Sequence, residues 1–123
     1  MCIRDRNNTG DNIDNIRGVA NADMQVFEAW GITTGSPDIT IAVLDDGIEG
    51  NHPDLRNNIV SGYDAFGEGK ERNPNSDADH GTPVAGIIAA EGNNGIGIAG
   101  VAYNCKLMPI RIDRGNNLSL IHI

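Results

Sequence analysis

The sequence predicts an α/β fold with a mainly parallel sheet, and three stretches carry that expectation. "ITIAVLDDG" is apolar nearly throughout from Ile39 to Leu44, as a parallel strand covered on both faces reads. "HGTPVAGIIAAEG" reads as a helix, and after a glycine-rich loop "CKLMPIRI" reads as another strand. Strand, helix and strand in that order predict right-handed crossovers between parallel neighbours.

Residues 7–23 are polar and rich in Asn, Asp and Gly, which predicts an extended approach segment. In "ADMQVFEAWGITTG", Met24, Phe27 and Trp30 fall near helical spacing, with Asp23 as N-cap and Gly31 just past the end. "SPD" makes a turn into the first strand. A second, shorter strand is expected around Ile59 to Tyr63, followed by the charged surface loop "GEGKERNPNSDAD". In the next helix Thr82 is the expected N-cap and Pro83 the first helical residue, where its missing N–H costs nothing. Gly92 lies past its end, and Val84, Ile87 and Ile88 form the expected apolar stripe. Gly86 inside a helix costs about 1 kcal/mol relative to Ala, which predicts close packing against the sheet there. No internal repeat is present.

A chain of 123 residues suffices for one small domain with a modest core. Seventeen acids against nine bases give a net charge of −8, which argues against a nucleic-acid or anionic-membrane partner. No apolar run approaches the ~18 residues of a membrane span. Hydrophobic content of 39% places the chain with globular rather than disordered sequences.

The two ends read differently from the rest. A coding string for Met1–Asp5 and the start of Arg6 is, in reverse complement, a coding string for Leu118–Ile123. That coincidence, and the likeness of the string to a transposase adapter used in sequencing libraries, identify residues 1–6 and 118–123 as translated adapter. The natural part is then 7–117, a piece truncated at both ends. Cys105 becomes its only cysteine, which says little about redox compartment.

Ligands and catalytic groups of an open parallel sheet gather at the carboxyl ends of its strands. Asp45 and Asp46 sit at such an end, and Gly47 lets the chain turn. His80, 35 residues after Asp45, opens the long helix on the same expected edge. A carboxylate beside a histidine accepts the Nδ1–H, fixes the tautomer and stabilises the imidazolium formed when Nε2 takes a proton. The helix N-terminus alone would disfavour that cation.

"IAVLDDGIEGNHPDL" and "HGTPVAGIIAAEGNNGIGIAGVAYN" resemble the aspartate and histidine signatures of the subtilases, the subtilisin-like serine peptidases. The resemblance covers nearly all of 7–117. It implies a three-layer subtilisin-like fold of which this chain carries the N-terminal part, and catalysis by an Asp-His-Ser triad. Asp45 matches the triad aspartate and His80 the triad base. "LDDGIE-x-NHPDL" is nearest in wording to the kexin and furin branch, in which Asp46 and Asp77 would hold a basic side chain at the substrate's second position before the cleaved bond. Two such carboxylates would favour Lys or Arg by charge pairing. Pro83 departs from the His or Arg common at that site.

The resemblance also implies structural calcium. Asp54 in "HPDL" matches a ligand, and "EGNNGIGI" the loop wrapping the ion, with carbonyls of Glu91, Ile96 and Ile98 and the side chain of Asn94. A hard cation takes six to eight oxygens, which a glycine-rich loop can turn inward. A further aspartate ligand of relatives would lie before Asn7, so the site is expected to be incomplete and weak. The family's "GTS-x-x-x-P" nucleophile segment is absent. Ser36, Ser61 and Ser76 have no comparable context, and Ser119 lies in the adapter stretch. The oxyanion-donating Asn is expected beyond Ile112. The chain therefore reads as an inactive piece of a peptidase acting on protein or peptide substrates, secreted or extracellular by family, with an oligomeric state the sequence leaves open. Two alternatives are a non-catalytic, calcium-dependent binding module of subtilase type and a receiver-like domain whose acidic pair binds magnesium. Lys106 and Asp113 stand in the wrong order for the latter.

Overall fold

The computed structural model describes residues 12–13, 16–17, 24–65 and 78–112. The chain divides into two compact units, 1–34 and 35–123.

In the first unit, β1 (Asn12–Ile13) pairs antiparallel with β2 (Ile16–Arg17), Ile13 opposite Ile16. Of the expected approach at 7–23, these four residues are the ones described. Helix α1 (Val26–Trp30) is shorter than the pattern suggested. Its start at Gln25 is left-handed, with φ 49° and no side-chain cap, and it ends at Gly31 as expected. Asp23, the expected cap, lies outside the described residues. Five residues are too few to present a stripe: Val26 is buried, whereas Met24 and Phe27 are exposed. Phe27 and Trp30, one turn apart, pack edge to face with ring centroids at 5.4 Å.

The second unit holds a parallel sheet. β3 (Thr40–Asp45) and β5 (Lys106–Arg111) pair over their whole length, from Thr40 opposite Lys106 to Asp45 opposite Arg111. β4 (Tyr63–Asp64) lies on the other side of β5, giving the order β3-β5-β4. The strand expected around Ile59 to Tyr63 is broken in two: Ile59 makes an isolated bridge to Leu107, and the ladder resumes only at Tyr63 opposite Ile110. The break has a local cause. Leu107 N–H donates towards the β4 side, to Asn58 O at 2.8 Å, and Lys106 N–H towards the β3 side, to Ile39 O at 2.8 Å. By that alternation residue 109 faces β4, and as a proline it has no N–H to give. Gly62 fills the gap, where any Cβ would overlap the Pro109 carbonyl.

Helix α2 (Gly81–Ala89) packs on β3 and β5. The core joins Val43 and Leu107 of the sheet to Ile48, Leu55, Ala85, Ala89 and Ala90. The helix buries its small residues Gly81, Ala85, Gly86 and Ala89, not the expected stripe. Val84 and Ile88 flank the core, and Ile87 is 51% exposed. Small side chains let the helix backbone approach the sheet, which bulky ones would prevent. Gly86 does not enforce this closeness. A Cβ there would make only an ordinary 3.7 Å contact with Ile98. β3 is buried on one face alone: Val43 and Asp45 point inward, while Ala42 and Leu44 are exposed. The expectation of a strand covered on both faces is corrected accordingly.

Candidate active site

Strand alternation delivers Asp45 to the buried face of β3 as its last residue. The side chain of Asp45 is 8% exposed and that of His80 is 74% exposed. His80 Nδ1 lies 2.9 Å from both Oδ1 and Oδ2 of Asp45. Asp45 Oδ1 also accepts the Asp46 main-chain N–H at 2.8 Å, which fixes the carboxylate in place. This is the geometry in which Nδ1 carries the proton and Nε2 is left as the base. The imidazole pKa is raised above 6.5, first by the hydrogen bond the ring donates to Asp45 and then by the charge of that carboxylate. Desolvation opposes the rise, and the Asp46 charge adds the smallest contribution to it.

The start of α2 explains the residues around His80. Gly81 must be glycine because a Cβ would overlap the Gly47 carbonyl. Glu49 N–H donates to the Thr82 hydroxyl at 2.9 Å, tying the helix to the chain after β3. Thr82 is thus the second helical residue and not the N-cap, and Pro83 is the third. The His80 side chain caps nothing. Asp46 performs that task from outside the helix: its Oδ2 accepts His80 N–H at 3.0 Å and its Oδ1 accepts Gly81 N–H at 2.8 Å. Sequence reading missed this cap, since no local pattern links residues 34 and 35 positions apart. Asp77 lies outside the described residues. The acidic pair of the receiver-like alternative is thus given over to protein groups: Asp45 to the His80 ring and Asp46 to two main-chain amides.

The loop after α2 gathers around Asp54, which is buried. Its carboxylate accepts Asn94 Nδ2–H at 2.7 Å and Ile98 N–H at 2.8 Å. Asn94 Oδ1 accepts Ile96 N–H at 3.1 Å. Glu91 joins by its main chain, N–H donating to Asp54 O at 2.9 Å, while its carboxylate accepts Asn57 Nδ2–H at 2.7 Å. Among the described residues no group of three or more His, Cys, Asp or Glu could hold a metal. One carboxylate with neutral amide and carbonyl oxygens suits a hard cation, although N–H donors engage both Asp54 oxygens and would have to yield. Among the described residues no serine hydroxyl bonds to His80; Ser36 Oγ donates to Asp38 at 3.3 Å.

Comparison with known proteins gives the same reading. A profile of the subtilase family matches residues 36–123. A thermophilic serine proteinase from a Bacillus species is 43% identical over 96 residues, covering 77% of this chain and 23% of that protein. Mouse furin is 39% identical over 103 residues, covering 79% of this chain and 13% of furin. The chain therefore spans less than a quarter of the length of these relatives. The crystal structure of a serine protease of Aeromonas sobria superposes with a TM-score of 0.67 at 34% identity, over 85% of this chain and 18% of that one. The parallel α/β unit, the Asp45–His80 pair and these matches lead to one conclusion: this chain belongs to the subtilase family, the subtilisin-like serine peptidases.

Proposed function

We propose that this chain is the Asp- and His-bearing part of a serine endopeptidase. Asp45 holds the imidazole and its tautomer, and His80 is the general base that takes the proton of a serine nucleophile. The observation that carries this reading is the 2.9 Å approach of His80 Nδ1 to both Asp45 oxygens. The family's "GTS-x-x-x-P" serine segment does not occur in these 123 residues, and the complementary coding strings of 1–6 and 118–123 support reading both as adapter translation. The 123 residues alone then leave peptides uncut, because loss of the nucleophile costs about six orders of magnitude in turnover. Incubating the chain with a peptide substrate tests this. Hydrolysis blocked by a serine-directed inhibitor would overturn it. Coding sequence downstream of Ile112 carrying "GTS-x-x-x-P" supports the peptidase reading, and its replacement there would favour a binding module.

The substrate carries Lys or Arg at the second position before the cleaved bond, held by Asp46 and Asp77. The half-buried negative charge of Asp46 beside His80 supports this. In the complete enzyme, kcat/KM should fall when the substrate's Lys or Arg at that position is replaced by Ala; equal values would dismiss the preference. Asp54, Asn94 and the carbonyls of Glu91, Ile96 and Ile98 would hold calcium, which when bound supplies a charge that ties down loop 91–98. Secretion follows from the family, and no described helix is long and apolar enough to cross a membrane.

A further inference from the structure

The α2 sequence cannot cap itself. A helix leaves its first N–H groups without internal partners, and these are ordinarily met by Ser, Thr, Asp or Asn at the N-cap. Here His80 holds that place with no side-chain hydrogen bond to the helix. No acid lies in the first turn, and the first intrahelical bond, Val84 N–H to His80 O, is long at 3.3 Å. What meets the free amides is a residue from the end of another element: Asp46 takes His80 N–H on one oxygen and Gly81 N–H on the other. Gly81 permits this contact, since a Cβ would come within 2.9 Å of Asp46 Oδ1.

His80 is thereby gripped twice from one strand end. Asp45 holds the ring at Nδ1 and Asp46 holds the main-chain nitrogen. The two acids are coupled as well, because Asp46 N–H donates to the Asp45 oxygen that also meets the ring. We infer that Asp46 is a positioning residue for the base: its carboxylate docks the start of α2 on the end of β3 and so places the His80 imidazole on Asp45. The inference rests on Asp45 and His80 being the acid–base pair, and it gives Asp46 a role that needs no substrate. A carboxylate suits the task better than a hydroxyl because it accepts both amides at once and opposes the positive end of the helix. Among the described residues the charged groups facing His80 are Asp45 and Asp46. Asp79 precedes it in the chain, and Gly81–Ala89 contains no charged side chain.

Nuclear magnetic resonance on the full 123-residue chain tests this through three readouts. In the unsubstituted chain, the amide protons of His80 and Gly81 should shift on acidification with the midpoint of the Asp46 Cγ signal. In Asp46→Ala those amides should exchange about five- to tenfold faster, the loss of one helix cap. The His80 imidazole should also titrate at lower pH than in the unsubstituted chain. Asp46→Asn, which keeps one acceptor but no charge, should recover part of the protection. Amide shifts that ignore the Asp46 carboxylate in the unsubstituted chain would overturn the inference even if Asp46→Ala fails to fold, as would unchanged exchange and titration in a folded Asp46→Ala. Asp45→Asn separates the two readings. If it leaves His80 titration unaltered, the acid–base pair itself fails, whatever Asp46 does.

Discussion

The His80–Asp45 contact makes stability depend on pH in a definite direction. The folded chain raises the imidazole pKa above 6.5, chiefly through the hydrogen bond to Asp45. Folding therefore favours the protonated ring. The stabilisation is complete below 6.5, the unfolded value, and is lost as pH rises through the higher folded one. The urea midpoint should fall across that window in the unsubstituted chain and stay level in His80→Gln, which has no titrating ring. A midpoint that rises with pH across the window, or an equal slope in both chains, would contradict the pairing. Both partners of this contact were legible in the sequence, because strand end and helix start are local signals and the family's motif order links them. The second grip, by Asp46, was not. Its acceptors and donors are far apart in sequence, and an acid after a strand reads equally as a turn residue or a substrate contact.

Helix α2 contains two glycines that look alike in sequence and differ in the fold. Gly81 has no room for a Cβ beneath the Gly47 carbonyl, so Gly81→Ala must push the helix start away from β3. A cost of about 2 kcal/mol or more is expected, together with loss of the raised His80 pKa. Gly86, with only a 3.7 Å contact ahead of a new Cβ, should accept Ala and gain about 0.5–1 kcal/mol from helix propensity. Denaturant unfolding of the two variants should move in opposite directions, and a destabilised Gly86→Ala would show that space there is tighter than the geometry allows. The loop that follows permits a third test. Calcium at about tenfold its dissociation constant should add about 1.4 kcal/mol through binding the folded state. Asp54→Asn should remove the gain, and an unchanged melting temperature in calcium would dismiss the site. Apolar runs predicted β3 and β5 closely, since six consecutive residues pair without interruption. β4 was misjudged because its length is set by Pro109, a residue of its neighbour. The buried face of α2 was misjudged because hydrophobicity selects large side chains, whereas closeness to a sheet selects small ones.

At the scale of the molecule, the parallel class of the sheet was legible from apolar runs and the element order, but the coverage of its faces was not. Leu44 is 56% exposed, Ile39 55% and Ile87 51%, all at positions whose pattern signals burial. Beside α2, Pro83, Gly86 and Ile87 join Leu55, Ala90 and Ile98 around an apolar hollow of about 380 Å³. β3 also stands at the edge of the sheet order, with β5 as its one partner among the described residues. Among the described residues, this six-residue edge strand bears Ala42 and Leu44 outward and has no strand partner on its far side, offering backbone groups and apolar surface to another copy. The net charge of −8 opposes association only at long range and is screened within about 8 Å at physiological salt. Contact forces at the edge should therefore prevail, and the chain should self-associate increasingly with concentration and salt. Sedimentation velocity across a concentration series measures this. Ala42→Lys, which sets a charge on the exposed edge away from the Asp45 side, should shift the population towards monomer without altering the His80 titration. A salt-insensitive monomer with one sharp, concentration-independent melt would mean that the exposed strand and helix faces are tolerated by the chain on its own.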